Sequence, residues 1–201
     1  MHRFLLVIGL GTVLIAAGGC EGPRPPLTRA ARAGDLETIK TLLGGGADVN
    51  APDSEEGWPP LFHAVVGRQA AAIVLLIERG ANPNQAADKL TPLQVAAAQA
   101  DPAILQILLA HGADVSARGP GDSTALTVAV SGGALTDADL PLLGGCHPAV
   151  VRALLAHDPT QRLGDTFAGR RALWFARFHG CTEVIEMVGT ELQRTRTNLA
   201  R

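Results

Sequence analysis

Residues Thr91 to Ala117 read TPLQVAAAQADPAILQILLAHGADVSA, and that order of residue types describes two short helices and a turn. Thr91 is placed to cap a helix whose first turn holds Pro92, a position where the missing amide hydrogen costs nothing. Ala96 and Ala97 keep this helix slim, so that a second helix can approach it closely. Ile104, Ile107 and Leu108 then fall on one helical face, as a buried second helix requires. Gly112 follows, where a residue in the left-handed conformation ends the helix. Ala113 and Asp114 start a turn that leads onward.

The pattern recurs on both sides. Pro25 to Ala51 read PPLTRAARAGDLETIKTLLGGGADVNA, and Pro59 to Gln85 read PPLFHAVVGRQAAAIVLLIERGANPNQ. TALTVAVSGG begins at Thr124, and RALWFARFHGCTEVIEMVG begins at Arg171. The register steps are 34, 32, 33 and 47 residues. Ile39, Leu42, Leu43 and Ile73, Leu76, Ile77 repeat the apolar face of the second helix, and Gly46 and Gly80 repeat its stop. A period near 33 headed by T-P-L-H-x-A is the ankyrin signature, and from about Pro25 to Gly189 the chain resembles the ankyrin-repeat family.

The resemblance implies an all-α solenoid of about five helix-turn-helix units, joined by short β-turn or hairpin connections, over residues 27–189. Each unit has too little core to fold alone, so stacking is what stabilises it and the outer copies should be atypical. The first follows a proline-rich leader, and the last runs into a polar tail, 190–201, with Arg194, Arg196 and Arg201. The fourth copy carries about thirteen extra residues between its helices, around 133–146, and such insertions map to one face of a repeat protein. Two readings of it stand: a functional loop, or a lid in which Leu135, Leu140, Leu142 and Leu143 fold over the helix ends. A second irregularity is DSEEGW, Asp53 to Trp58, an acidic turn closed by one of the two tryptophans.

The start of the chain is of another kind. His2 and Arg3 precede an uncharged run from Phe4 to Ala17, and Ala16 to Gly19 are all small. This is the layout of a signal peptide over residues 1–19, and the run is short for a membrane-spanning helix; an uncleaved anchor is the other reading. The segment AAGGC resembles a bacterial lipoprotein lipobox, with Ala17 where that family usually has Leu. The resemblance implies that Cys20 is the lipidated first residue of the mature chain. It also implies that Glu21 directs it to the outer membrane, facing the periplasm. A soluble periplasmic protein, cleaved by an ordinary signal peptidase, is the alternative. Residues 20–26 then form the anchor and a tether, at most about 20 Å long when extended.

Composition excludes several classes. The chain has 201 residues, 47% of them hydrophobic, with 17 basic against 19 acidic residues. That balance does not recruit nucleic acid. Aromatics are 3% with no Tyr, so stacking platforms for bases are scarce. No G-x-S-x-G, H-E-x-x-H or phosphate loop is present, and no catalytic residues and no cofactor are assigned. His63, His111, His147, His157 and His179 lack an accepted metal-ligand spacing, and no metal is expected. His111 and His157 end second helices, where a cationic ring suits the helix dipole.

Cys146 and Cys181 fall within one residue of equivalent positions in adjacent units. An exported protein meets an oxidising compartment, and two readings remain open: a Cys146–Cys181 bridge pinning the insertion, or two half-buried thiols. With no chemistry found, the resemblance implies recognition of a protein partner in the periplasm or envelope. The turn tips and exposed positions of the first helices would carry it. Carried residue by residue, these are Arg32, Glu55, Glu56, Trp58, Val66, Asp88, Leu90, Gln99, Ser123, Phe167, Arg170 and Phe178, with Trp58, Phe167, Arg170 and Phe178 as anchors. The expected protein is a monomer that acts as scaffold or as an inhibitor of the immunity type. The alternative is a redox or metal-handling factor built on Cys146, Cys181 and the nearby histidines.

Overall fold

Thr91 caps as its sequence context predicts. Its hydroxyl accepts from the Gln94 amide at 3.3 Å, and the Gln94 side chain returns a bond to the Thr91 amide at 2.9 Å. The same box recurs at Thr124 and Thr127, and Asp35, Asp101 and Thr166 cap with their side-chain oxygens. These caps satisfy amide donors that a helix start leaves without partners. In this computed structural model, residues 26–53, 57–131, 147–161, 163 and 166–189 are described.

The helices run in pairs: α1 (Pro26–Ala33) with α2 (Leu36–Gly44), α3 (Pro60–Val66) with α4 (Ala70–Glu78), and α5 (Pro92–Ala98) with α6 (Pro102–Ala110). Then come α7 (Ala125–Val130), α8 (Pro148–His157), α9 (Phe167–Phe178) and a final helix, α10, over 182–189. First helices pack on first helices, α1 on α3, α3 on α5, α5 on α7 and α7 on α9, and α2, α4, α6 and α8 form a second layer in the same order. This is the ankyrin-type solenoid, all-α, and among the described residues the only β pairing is an isolated bridge between Ala87 and Leu90.

Alanine sets the closeness of the first layer. Ala31, Ala64, Ala96, Ala97 and Ala129 are buried on the first helices. Gly67 goes further: a Cβ built there would stand 3.1 Å from the carbonyl carbon of Arg32 and press still harder on that group's oxygen. Only a hydrogen fits between the second unit and the first.

The turns between units tie the stack from outside. Asp48, Asn82, Asp114 and Asp158 each accept from the backbone amide two residues on, at 2.8 to 2.9 Å. These are the side-chain-to-backbone turns that Asp and Asn favour. Hydrogen bonds from the Ser116 hydroxyl and amide hold the Asp114 carboxyl below its ordinary range. Asn50 then reaches the next unit, donating to the Gly80 carbonyl at 3.1 Å and accepting from the Asn82 amide at 2.9 Å. Asn84 repeats the link to Gly112 and Asp114 at 3.0 and 2.7 Å. At the next position stands Ser116, too short to span the gap, and its side chain bonds Asp114 in its own turn. Replacing Asn84 by Ala removes two inter-unit bonds at a surface site and is expected to cost about 1–2 kcal/mol, read as a lower midpoint in urea with an unchanged slope.

The last unit departs from the sequence expectation in one respect. Its register is right, because Gly180 takes the left-handed conformation that Gly34, Arg68 and Ala100 take at the same place in earlier units. Its first helix is longer, however, and starts at Phe167 rather than near Ala172. Thr166 accepts from the Gly169 amide at 3.1 Å and so caps an additional turn. The insertion at 133–146, Cys20, Cys146, Glu55 and Glu56 lie outside the described residues.

Candidate recognition surface

The turn that leads into the second unit, around Asp53 and Trp58 and called here the second finger, is braced by a buried pair. Asp53 and His63 have side chains with no exposed area, and Asp53 Oδ2 lies 2.6 Å from His63 Nε2. The other carboxylate oxygen accepts from the Trp58 amide at 3.2 Å, and the Asp53 amide donates to the Trp58 carbonyl at 2.9 Å. One aspartate thus closes the base of the finger and fastens it to α3.

Trp58 adds to this bracing. Its indole packs on Phe62 and His63, with ring centres 4.8 and 5.5 Å away. Its Nε1 donates to Asp88 of the next finger at 2.7 Å. The ring is half-buried and engaged within the stack. Val66 and Gln99 are likewise tied together: the Gln99 amide donates to the Val66 carbonyl at 3.1 Å, and Arg68 donates to the Gln99 carbonyl at 2.8 Å. Leu90 is half-buried beside its bridge to Ala87. Ser123 is buried rather than exposed at the turn, and its main-chain carbonyl accepts from the Gln94 side-chain amide at 2.8 Å. Arg32 and Asp88 are exposed on α1 and on the third finger.

Phe167, Arg170 and Phe178 are brought together on α9, and Trp174 joins them. Phe167 is 65% exposed, Trp174 57% and Phe178 71%, the large hydrophobic residues in the open among the described residues. At 3.6 residues per turn, these three fall on one line, opposite the buried stripe of Gly169, Ala172 and Ala176. The Trp174 and Phe178 rings stack 5.3 Å apart at 15°. Arg170 and Arg177, both exposed, flank the stripe on one side. On the other side the Arg171 guanidinium lies 5.7 Å over the Phe175 ring. Isolated exposed apolar residues are ordinary, whereas three aligned aromatics with arginine beside them have the composition of interface anchors.

Sequence reasoning named Phe167 and Phe178 but not Trp174. The spacing that places Trp174 one turn before Phe178 and two turns after Phe167 was a readable signal. The repeat register conceals that signal, because it puts Trp174 in line with Thr28, Phe62, Gln94 and Thr127, all buried.

Cys181 is buried and disulfide-bonded. Desolvation holds the His147 ring below its ordinary pKa. Among the described residues, no group of three or more His, Cys, Asp and Glu is gathered as a metal site would be, and no helix is long and apolar enough to cross a membrane.

Comparison with known proteins agrees with this architecture. Residues 27–119 match the family described as ankyrin repeats, in three copies. A putative ankyrin repeat protein of Rickettsia felis is 34% identical over 46% of this chain and 45% of its own length. The human ankyrin repeat and SOCS box protein 16 is 34% identical over 83% of this chain and 36% of its own length. Zygote-specific protein 3 of Chlamydomonas reinhardtii is 31% identical over 66% of this chain and 35% of its own. The chain spans less than half the length of these curated relatives.

Proposed function

The chain carries ankyrin repeats, a protein–protein interaction module, and from that premise we propose that it binds another protein at a bacterial envelope without catalysing a reaction. The observation that carries the reading is the aromatic and arginine face of α9, opposite the helix's own core contacts. Residues 1–20 support the envelope as its place, with Cys20 as a lipid anchor and the outer membrane, periplasmic side, as its address. A lipidated Cys20 leaves Cys146 to pair with Cys181, and that bond holds the 133–146 insertion to the last unit. The binding serves as scaffold or as inhibition of the partner.

The test expresses the wild type, a Cys20→Ser variant and a Trp174→Ala, Phe178→Ala variant with their own leader. Each is cross-linked in cells and recovered after fractionation. The wild type is expected in the membrane fraction with one specific protein, Cys20→Ser in the soluble fraction, and the ring variant in the membrane fraction without that protein. Capture of the same protein by the ring variant would overturn the assignment of α9, and a membrane-bound Cys20→Ser would overturn the lipid anchor.

A further inference from the structure

In the middle of the stack, first helices have no open side. The residues of α3 from Pro60 to Val65, of α5 from Pro92 to Ala97 and of α7 from Ala125 to Val130 are all buried, because each helix lies between a preceding and a following one. Gln94 shows what the residue in this register does there. Its amide reaches forward to the Ala117 and Ser123 carbonyls of the next unit, at 3.3 and 2.8 Å. In the last unit the same register holds Trp174, exposed, and no further first helix follows α9 among the described residues.

A solenoid ends safely when its outer face is polar. The first end obeys this, because α1 turns Arg29 and Arg32 outward. The last end turns out Phe167, Trp174 and Phe178. That face has the shape of an unfinished stack: a ridge of apolar side chains where a helix would lie about 8–10 Å away.

Charge decides what completes it. From Phe167 to Arg201 the chain has six arginines and three glutamates, whereas eleven basic and sixteen acidic residues precede them. α9 itself has three arginines and no acid. Of the acids nearby, Glu183 pairs with Arg152 of α8 and Asp122 with Arg118, while Glu186 is exposed on α10. A second copy meeting this one face to face would set arginine against arginine. A partner with carboxylates beside its apolar stripe meets the opposite charge.

Resting on the recognition reading above, we propose that the open end of the stack at α9 takes an acidic amphipathic helix of a partner protein, laid where a sixth first helix would lie. Its apolar side covers Phe167, Trp174 and Phe178. Its carboxylates face Arg170 and Arg177, and because these two lie on one flank they fix the partner's orientation.

The experiment uses the purified full chain and two labelled helical peptides of roughly 20 residues, long enough to be helical. They share one leucine stripe and differ in carrying Glu or Lys beside it. Fluorescence anisotropy is expected to show binding of the Glu peptide that weakens with added salt and falls at least about tenfold in Trp174→Ala, Phe178→Ala. An Arg170→Glu, Arg177→Glu variant, checked by circular dichroism for an unchanged fold, should prefer the Lys peptide. Equal binding of both peptides by the wild type, or an unchanged preference after charge reversal, overturns the acidic helix while leaving ring-dependent capture in cells intact. Cosedimentation with phosphatidylglycerol vesicles in the absence of peptide binding would make a lipid surface the occupant. Ring-dependent dimers in sedimentation equilibrium, again without peptide binding, would make it a second copy. Either result also overturns the proposal.

Discussion

Replacing Gly67 by Ala is expected to destabilise the protein by roughly 3 kcal/mol or more, at the upper end of what overpacking costs. The backbone conformation at Gly67 is ordinary for any residue, with φ at −75°, so no penalty arises from backbone strain. The penalty comes from the added methyl, which meets the Arg32 carbonyl and lies 3.2 Å from the His63 carbonyl. Both obstacles are backbone, and neither can rotate away. Relief requires moving α1 away from α3, and α1 belongs to the first described unit, which among the described residues packs on the second. In a stack whose stability is a sum of units and interfaces, the loss should therefore concentrate at the first end. Hydrogen exchange would show it as faster exchange through α1 and α2, with protection in α5 and α6 kept. Uniform loss across the stack would show that the units do not uncouple there. A change below about 0.5 kcal/mol, as at an ordinary surface site, would show that the α1–α3 contact is looser than described.

The repeat and its caps were legible because they are local. Thr91 with Pro92, the left-handed Gly46, Gly80 and Gly112, and the Asp and Asn residues that open each turn act within a few residues of themselves. The candidate surface was legible in part for the opposite reason. Trp174 occupies a register that is interior in every other unit, and among the described residues no further first helix covers it. No local pattern carries that fact. The extra turn of α9 depends on Thr166 as its cap, which the register of later residues concealed. Trp58 presented the reverse difficulty: an aromatic in a polar turn has the look of an anchor, yet its partners Phe62, His63 and Asp88 come from elsewhere in the stack.

The Asp53–His63 pair was equally hidden, and it makes the sharpest test of what holds the second finger. Asp53→Ala is expected to cost about 3–5 kcal/mol, the usual range when one partner of a buried pair is removed. His63 Nε2 then loses its acceptor inside the stack, and the ring's other nitrogen, Nδ1, has no partner among the described residues. The Trp58 amide loses its bond to the side chain at the same time. Removed together with Asp53, however, His63 can give way to an apolar side chain. The residues in its register in the next two units are Val95 and Val128, both buried, so the position accepts an apolar side chain. A buried pair exchanged as a whole for apolar groups is commonly neutral. The double variant Asp53→Ala, His63→Val should therefore recover most of the stability that Asp53→Ala loses, leaving a deficit of about 1 kcal/mol for the Trp58 amide. Thermal or urea unfolding of the two single variants and the double variant closes the cycle. If the double variant is as unstable as Asp53→Ala alone, the aspartate acts through the finger and not through the histidine. If it is near wild type, the pair contributes little net stability and serves to fix one arrangement of Asp53 to Trp58 against α3. That second outcome gives the pair an architectural role, because the finger it fixes presents Trp58 to Asp88 and sets how two neighbouring turns meet.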